Sequence, residues 1–361
     1  MVKPGSFDLA LVLSGGNALG AYQAGAYEAM HKAGWLPDWV AGGSAGAING
    51  ALICGNEASL RVERLRALWR PSAASLPAYD LGGLFEDVRR TAAATMTLLA
   101  GRPGIFVPKH LSWLLGGFAT PEPGSLYDTL PMRGELERLV DFGLLNGASA
   151  PRLSATAIDI ESGEDVVFDT RAHPLTVDHL RASAALLPLF PPVEIDGRTF
   201  GDAGISANLP LDCVLSQPGE GPLLCLAIDL LPLHGIRPAG LSGSALRMQD
   251  LIFATQSRRA IAAWQAIFDE RARRGEGRPT TLVHLSYSSQ EREVSGKAFD
   301  FSPQSAAGRW SAGLEDISRA IDSFVAGDIE VRSEPGLSVY ARPSRDADLR
   351  LTRFPLSPHS V

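Results

Sequence analysis

Gly42-Gly43-Ser44-Ala45-Gly46 reads G-x-S-x-G and lies between a predicted strand and a predicted helix. In that context the pattern presents a serine hydroxyl as a nucleophile at a strand end. Gly42 and Gly46 leave room for the backbone to pass close to itself and to the helix. The helix beginning at Ala45 aims its N-terminal N–H groups at a developing oxyanion. The plain alternative is a serine that only caps a helix. A second glycine-rich turn, SGGNALG over 14–20, also joins a strand to a helix. Successive amides in such a turn form an anion-binding concavity. The turn is neither G-x-G-x-x-G nor G-K-[ST], and Asp38 precedes its strand, so no nucleotide is expected. Strands one and two are expected to be neighbours. The amides of Gly15, Gly16 and Asn17 would then stand beside Ser44 as an oxyanion hole.

A serine nucleophile needs a base. The chain has seven histidines: His31, His110, His173, His179, His234, His284 and His359. His234 and His284 fit the order serine, acid, histidine, but the α/β-hydrolase arrangement places several strands before its elbow and this chain has one. His31 reads as an ordinary helix residue, and His359 falls near the C-terminus. A carboxylate acting directly is the alternative, its pKa tuned by burial and by neighbouring donors. Asp202, in FGDAGISANLP (200–210), follows a strand and precedes a small-residue turn. Asp159 and Asp229 also sit at strand ends, and residue type alone does not choose among the three.

The surrounding elements suit a parallel sheet covered by helices. LALVL (9–13) is a strand buried on both faces. AYQAGAYEAMHKAG (21–34) is a helix closed by Gly34. WVAGGSAGAINGALICGN (39–56) repeats strand, turn and helix. LSATAIDI (153–160), EDVVFDT (164–170), VEI and RTF around the Asp196-Gly197 hairpin turn, PLLCLAIDL (222–230) and TTLVHLSY (280–287) read as further strands. Residues 245–274 read as one long helix or two, and 301–327 as a helix with Pro303 in its first turn.

The 361 residues are 45% hydrophobic and 20% charged, a globular composition. A net charge of −7 disfavours nucleic acid and strongly anionic membranes as partners. Cys54, Cys213 and Cys225 read as buried thiols in a reducing compartment. The first residues lack a secretory signal, and no apolar run is long enough to span a bilayer. The expectation is a cytoplasmic protein with peripheral contact at the inner membrane surface.

Four separated stretches, in order, resemble the patatin-like phospholipase family. LVLSGGNALGAYQAG (11–25) is similar to its oxyanion loop, AGGSAGAINGA (41–51) to its nucleophile elbow, ASAALLPLFPPVEIDG (182–197) to the segment before its catalytic acid, and FGDAGISANLPL (200–211) to its Asp-Gly-Gly or Asp-Gly-Ala turn. PGIFVP (103–108) and LYDTLPMRGELERLVDFGLLN (126–146) resemble a bacterial subgroup with an extra C-terminal region. The resemblance implies a three-layer α/β/α sandwich with a mainly parallel central sheet. It implies a Ser44–Asp202 dyad without histidine, an oxyanion hole from Gly15, Gly16 and Asn17, and motif support from Gly42, Gly46 and Gly204. It also implies acyl-ester hydrolysis on lipids, without metal or cofactor. Three positions depart from the pattern. Asn17 stands for a third glycine, Leu19 for a cation that would steer an anionic head group, and Ala203 for the glycine after the acid. Asn tolerates left-handed backbone; alanine at a positive φ would cost on the order of 1 kcal/mol.

The expected organisation is a catalytic domain over 1–240, a C-terminal extension over 241–330 packed on it, and a loose tail over 331–361. Residues 71–125 read as an apolar insertion. Within it Met96, Leu98, Leu99, Ile105, Phe106, Trp113, Leu114, Leu115 and Phe118 form either a lid at a lipid surface or ordinary core. The basic run Arg271, Arg273, Arg274 and Arg278 reads as a solvated helix end. Two other functions compete with lipid hydrolysis: an esterase on short or polymeric hydroxyacyl esters, and a lipid-binding or regulatory protein with a weakened site.

Overall fold

The computed structural model describes residues 7–69, 83–109, 124–288, 290, 293–342 and 347–356. His110, Trp113, Leu114, Leu115, Phe118 and His359 lie outside them. The chain runs β1 (Asp8–Leu13), α1 (Gly20–Lys32), β2 (Trp39–Gly43), α2 (Ala45–Cys54), α3 (Arg61–Trp69), α4 (Gly83–Ala100), β3 (Val107–Pro108) and β4 (Tyr127–Asp128). It continues with α5 (Leu130–Leu139), α6 (Phe142–Leu145), β5 (Arg152–Asp159), β6 (Asp165–Asp169), α7 (Val177–Ser183), β7 (Val193–Ile195), β8 (Arg198–Asp202), α8 (Gly204–Ala207) and α9 (Leu211–Leu215). The last elements are β9 (Leu223–Asp229), α10 (Gly240–Arg273), β10 (Pro279–Ser286), α11 (Pro303–Ala326), β11 (Gly336–Ala341) and β12 (Arg350–Leu351).

Ten strands form the main sheet in the order β12-β11-β10-β9-β1-β2-β5-β8-β7, with β6 also on β5. The strands from β11 to β5 pair in parallel. β6, β7, β8 and β12 pair antiparallel. The alternation along β1 builds the layers. Leu9, Leu11 and Leu13 face a core with residues of α1, α2 and α11. Ala10 and Val12 face the opposite core, with Val214 from α9 and Ile261, Trp264 and Phe268 from α10. Both faces are covered, as an apolar parallel strand requires. The result is the expected α/β/α sandwich with a mixed sheet.

The 245–274 reading resolves into one helix, α10. Asp196 and Gly197 both have positive φ, 51° and 76°, as a two-residue hairpin turn between β7 and β8 demands. The tail is corrected in part. Gly336–Ala341, within the stretch read as loose, pairs in parallel with β10 and is buried at four of its six positions. Its short apolar run gains a neighbouring strand that the surrounding proline and charge concealed. The sheet therefore runs across residue 240. Among the described residues no helix is long and apolar enough to cross a membrane.

The insertion divides between the two readings made of it. Ile105 and Phe106 are buried core, whereas Met96, Leu98 and Leu99 on α4 are exposed. Arg273 and Arg274 pair with Glu270, and Arg278 with Asp8, so the basic run is engaged locally.

Candidate active site

The register along β5 brings Ser44 and Asp202 together. β2 is parallel to β5 and ends with Gly43 opposite Thr156. β8 is antiparallel to β5 and ends with Asp202 opposite Ala157. β6 occupies the other edge of β5 over Ser154–Ile158. β2 and β8 therefore share one edge of β5 and meet C-terminus to C-terminus. Ser44 and Asp202 stand at that junction and line one cleft, with the Ser44 hydroxyl near enough to the Asp202 carboxylate to lower its pKa.

Ser44 adopts φ 54° and ψ −123°, a conformation sparsely populated by non-glycine residues. Close packing of the turn holds it there. A Cβ on Gly42 would lie 2.4 Å from the Gly46 carbonyl carbon, and one on Gly46 would lie 2.2 Å from the Leu13 carbonyl oxygen. The Ser44 N–H donates to Ser183 Oγ at 3.0 Å, anchoring the turn to the end of α7.

Asp202 is buried, and the Gly204 N–H donates to its Oδ1 at 2.8 Å. Burial raises its pKa, and the Ser44 and Gly204 hydrogen bonds only partly offset this, leaving it at about 6. Ala203 has φ −66°, so the departure from glycine there carries no backbone strain. The other two strand-end carboxylates are occupied elsewhere. Asp159 binds Arg198 and the amides of Glu161 and Ser162. Asp229 accepts from the Leu231 amide and pairs with His284 at 3.5 Å.

The 14–20 loop lies beside Ser44 as expected; a Cβ on Gly15 would come within 3.0 Å of Ser44 Cβ. One expected donor is corrected. The Gly15 N–H already donates to the Asn208 carbonyl at 3.1 Å, and Asn208 Nδ2 donates back to the Gly15 carbonyl at 3.2 Å. The amides of Gly16 and Asn17 have no acceptor among the described residues, and both residues are half-buried. Asn17 takes φ 50°, the left-handed conformation that asparagine tolerates. Ser14 Oγ accepts from the Leu230 amide at 2.9 Å, and Gln23 Nε2 donates to the Ser14 carbonyl at 2.8 Å, so the loop is fixed from β9 and α1.

These groups line a cleft with about 1090 Å³ of empty volume. Its wall is mostly apolar, with Ile48, Trp69, Phe106, Met132, Phe190 and Phe253 among its residues. Arg102, Asn208 and Gln249 are the polar groups besides Ser44, Asp202 and the glycine loop among the described residues. Among the described residues no histidine lines the cleft.

A family model described as patatin-like phospholipase matches residues 11–215, and one described as patatin phospholipase matches 255–324. The chain belongs to the patatin-like phospholipase family. It is by family a lipid hydrolase. Among solved structures it is similar to VipD from Legionella pneumophila, at 16% identity over 89% of this chain and 68% of that one, with a TM-score of 0.43. It is also similar to the ExoU–SpcU complex from Pseudomonas aeruginosa, at 16% identity over 89% of this chain and 52% of that one, with a TM-score of 0.36. The chain thus spans about half the length of the latter. No curated protein matches it.

Two positioning residues of this patatin-like site escaped the sequence reading. Ser183 ends α7 far from the elbow in sequence. Asn208 lies in the stretch quoted around Asp202, but its exchange of hydrogen bonds with Gly15 follows from the fold. An asparagine two residues before a proline in a small-residue turn was the available signal.

Proposed function

We propose that the protein hydrolyses lipid-type acyl esters, as a phospholipase A or lysophospholipase, through Ser44 and Asp202. The observation that carries this reading is the Ser44 hydroxyl beside the buried Asp202 carboxylate in one mostly apolar cleft. Asp202 takes the hydroxyl proton as Ser44 Oγ attacks the ester carbonyl. The amides of Gly16 and Asn17 hold the oxyanion of the tetrahedral intermediate. Its collapse breaks the bond to the alcohol oxygen, which receives the proton from Asp202. Water then gives a proton to Asp202 and attacks the acyl-enzyme, and the acid product leaves as Ser44 regains its proton. The apolar wall suits an acyl chain.

Peripheral contact with a lipid surface is part of the proposal. Leu241, Met248, Leu251 and Ile252 are exposed on the first half of α10, beside Gln249 and Phe253 of the cleft wall. Such a face would enter the interface around the cleft mouth.

Hydrolysis of p-nitrophenyl esters from four to sixteen carbons tests the chemistry. Wild type should favour the longer chains. Ser44→Ala should abolish turnover and Asp202→Asn should lower it by about 10²–10⁴-fold, both remaining folded, and His284→Ala should retain it. An active Asp202→Asn variant would overturn the base assignment.

A further inference from the structure

Arg102 stands just after α4, at the first step of a tight turn. Its N–H donates to the Phe106 carbonyl at 2.8 Å, and the Phe106 N–H donates back at 3.0 Å. The side chain is only 7% exposed and forms part of the cleft wall. The guanidinium lies over Trp69 at 5.3 Å and over Phe301 at 4.3 Å. Nη2 donates to the Leu68 carbonyl, its one side-chain hydrogen bond among the described residues. A guanidinium has five N–H donors in a fixed fork. No carboxylate pairs with it among the described residues, whereas Arg309 and Lys297, equally buried, pair with Glu293 and Asp250. Burial draws its pKa down to about 10, which leaves it charged at neutral pH.

An unpaired buried cation is costly unless something anionic completes it. Two aromatic faces hold the guanidinium in place, and Arg102 lines the same cleft as Ser44. The planar fork matches phosphate oxygens, two at a time.

We propose that Arg102 binds the phosphate of the substrate, which makes the preferred substrate an acyl ester whose alcohol carries a phosphate group. This rests on the hydrolase reading above. Substrates that lack the phosphate would leave the guanidinium desolvated and unmatched, and so would bind less well.

The test uses the full chain and two esters with one acyl chain: a monoacylglycerol phosphate and the corresponding monoacylglycerol. Wild type should show kcat/KM about tenfold or more in favour of the phosphate-bearing ester. Arg102→Met should bring that ratio close to one, mainly through KM, and Arg102→Lys should keep part of it. Glycerol phosphate should compete with the ester, and inorganic phosphate at equal concentration should not. Stronger competition by the bare ion would make the ligand a free anion and overturn the headgroup assignment. A wild-type ratio near one overturns the proposal even if Arg102→Met fails to fold. Turnover of neither ester would instead be a failure of the hydrolase reading.

Discussion

Two groups of buried charge behave in opposite ways. Beneath the cleft, Glu293, Arg309, Lys297 and Asp250 form a closed network. Arg309 meets both Glu293 oxygens at 2.8 Å, and Lys297 pairs with Asp250. Burial alone would raise the Glu293 pKa, but Arg309, Arg90 and Lys297 outweigh it and hold the group at about 2. In the cleft, no cation pairs with Asp202 among the described residues, and burial, partly offset by Ser44 and the Gly204 amide, leaves it at about 6. Both carboxylates are almost inaccessible to solvent. A counterion turns one into scaffold, and its lack leaves the other near neutrality, the range that the proposed base needs.

The comparison breaks first on activity. Ser44→Ala should lower turnover to background, and Asp202→Asn should cost about 10²–10⁴-fold, read as kcat at pH 8. Substitution in the network should hardly touch the chemical step but should cost more in stability. Glu293→Gln leaves Arg309 buried beside a neutral partner, and urea unfolding should show a loss of about 3–5 kcal/mol.

Linkage gives opposite signs for the two groups. Glu293, depressed from 4.5 to about 2, contributes stability that is present above pH 4.5 and lost as pH falls toward 2. Asp202 is raised from 3.8 to about 6, so the folded state binds its proton more tightly, and stability falls as pH rises from 3.8 to 6. Asp202→Asn should therefore be more stable than wild type at pH 7, by about 3 kcal/mol. Equal stability in urea at pH 7 would show that ionising Asp202 costs the fold nothing. Over the same range log kcat/KM should climb with pH and level off above about 6, because the base must be ionised. The smallest effect is at position 203. With φ at −66°, Ala203→Gly should only loosen the chain, lowering stability by about 0.5–1 kcal/mol.

The elbow was legible because its chemistry is local. Gly42, Ser44 and Gly46 fall within one turn, and a Cβ at Gly42 or Gly46 would collide with neighbouring backbone. The alternating cores of β1 were legible for the same reason, since an unbroken apolar strand must be covered on both faces. The choice among Asp159, Asp202 and Asp229 was not legible from residue type. All three end strands, and only the pairing of β2 and β8 along one edge of β5 decides which one meets Ser44. Ser183 and the carbonyl of Asn208 depend on the same long-range meeting. The occupied Gly15 amide went unforeseen because a backbone donor carries no mark in the sequence of whether it is already taken. Gly336–Ala341 was read as loose because Pro335 and Pro343 frame it, although its alternating pattern suited a sheet margin.

The head-on meeting of β2 and β8 has a consequence for folding. Ser44 and Asp202 lie far apart in sequence and meet through β5, so no local segment contains both. A chain still emerging from the ribosome holds the elbow long before it holds Asp202, and under the proposed mechanism it is inert until β8 docks. Contacts of such long sequence separation are slow to close. Recovery of ester turnover during refolding should therefore lag behind the return of helical signal, making activity a clock for the last strand to arrive.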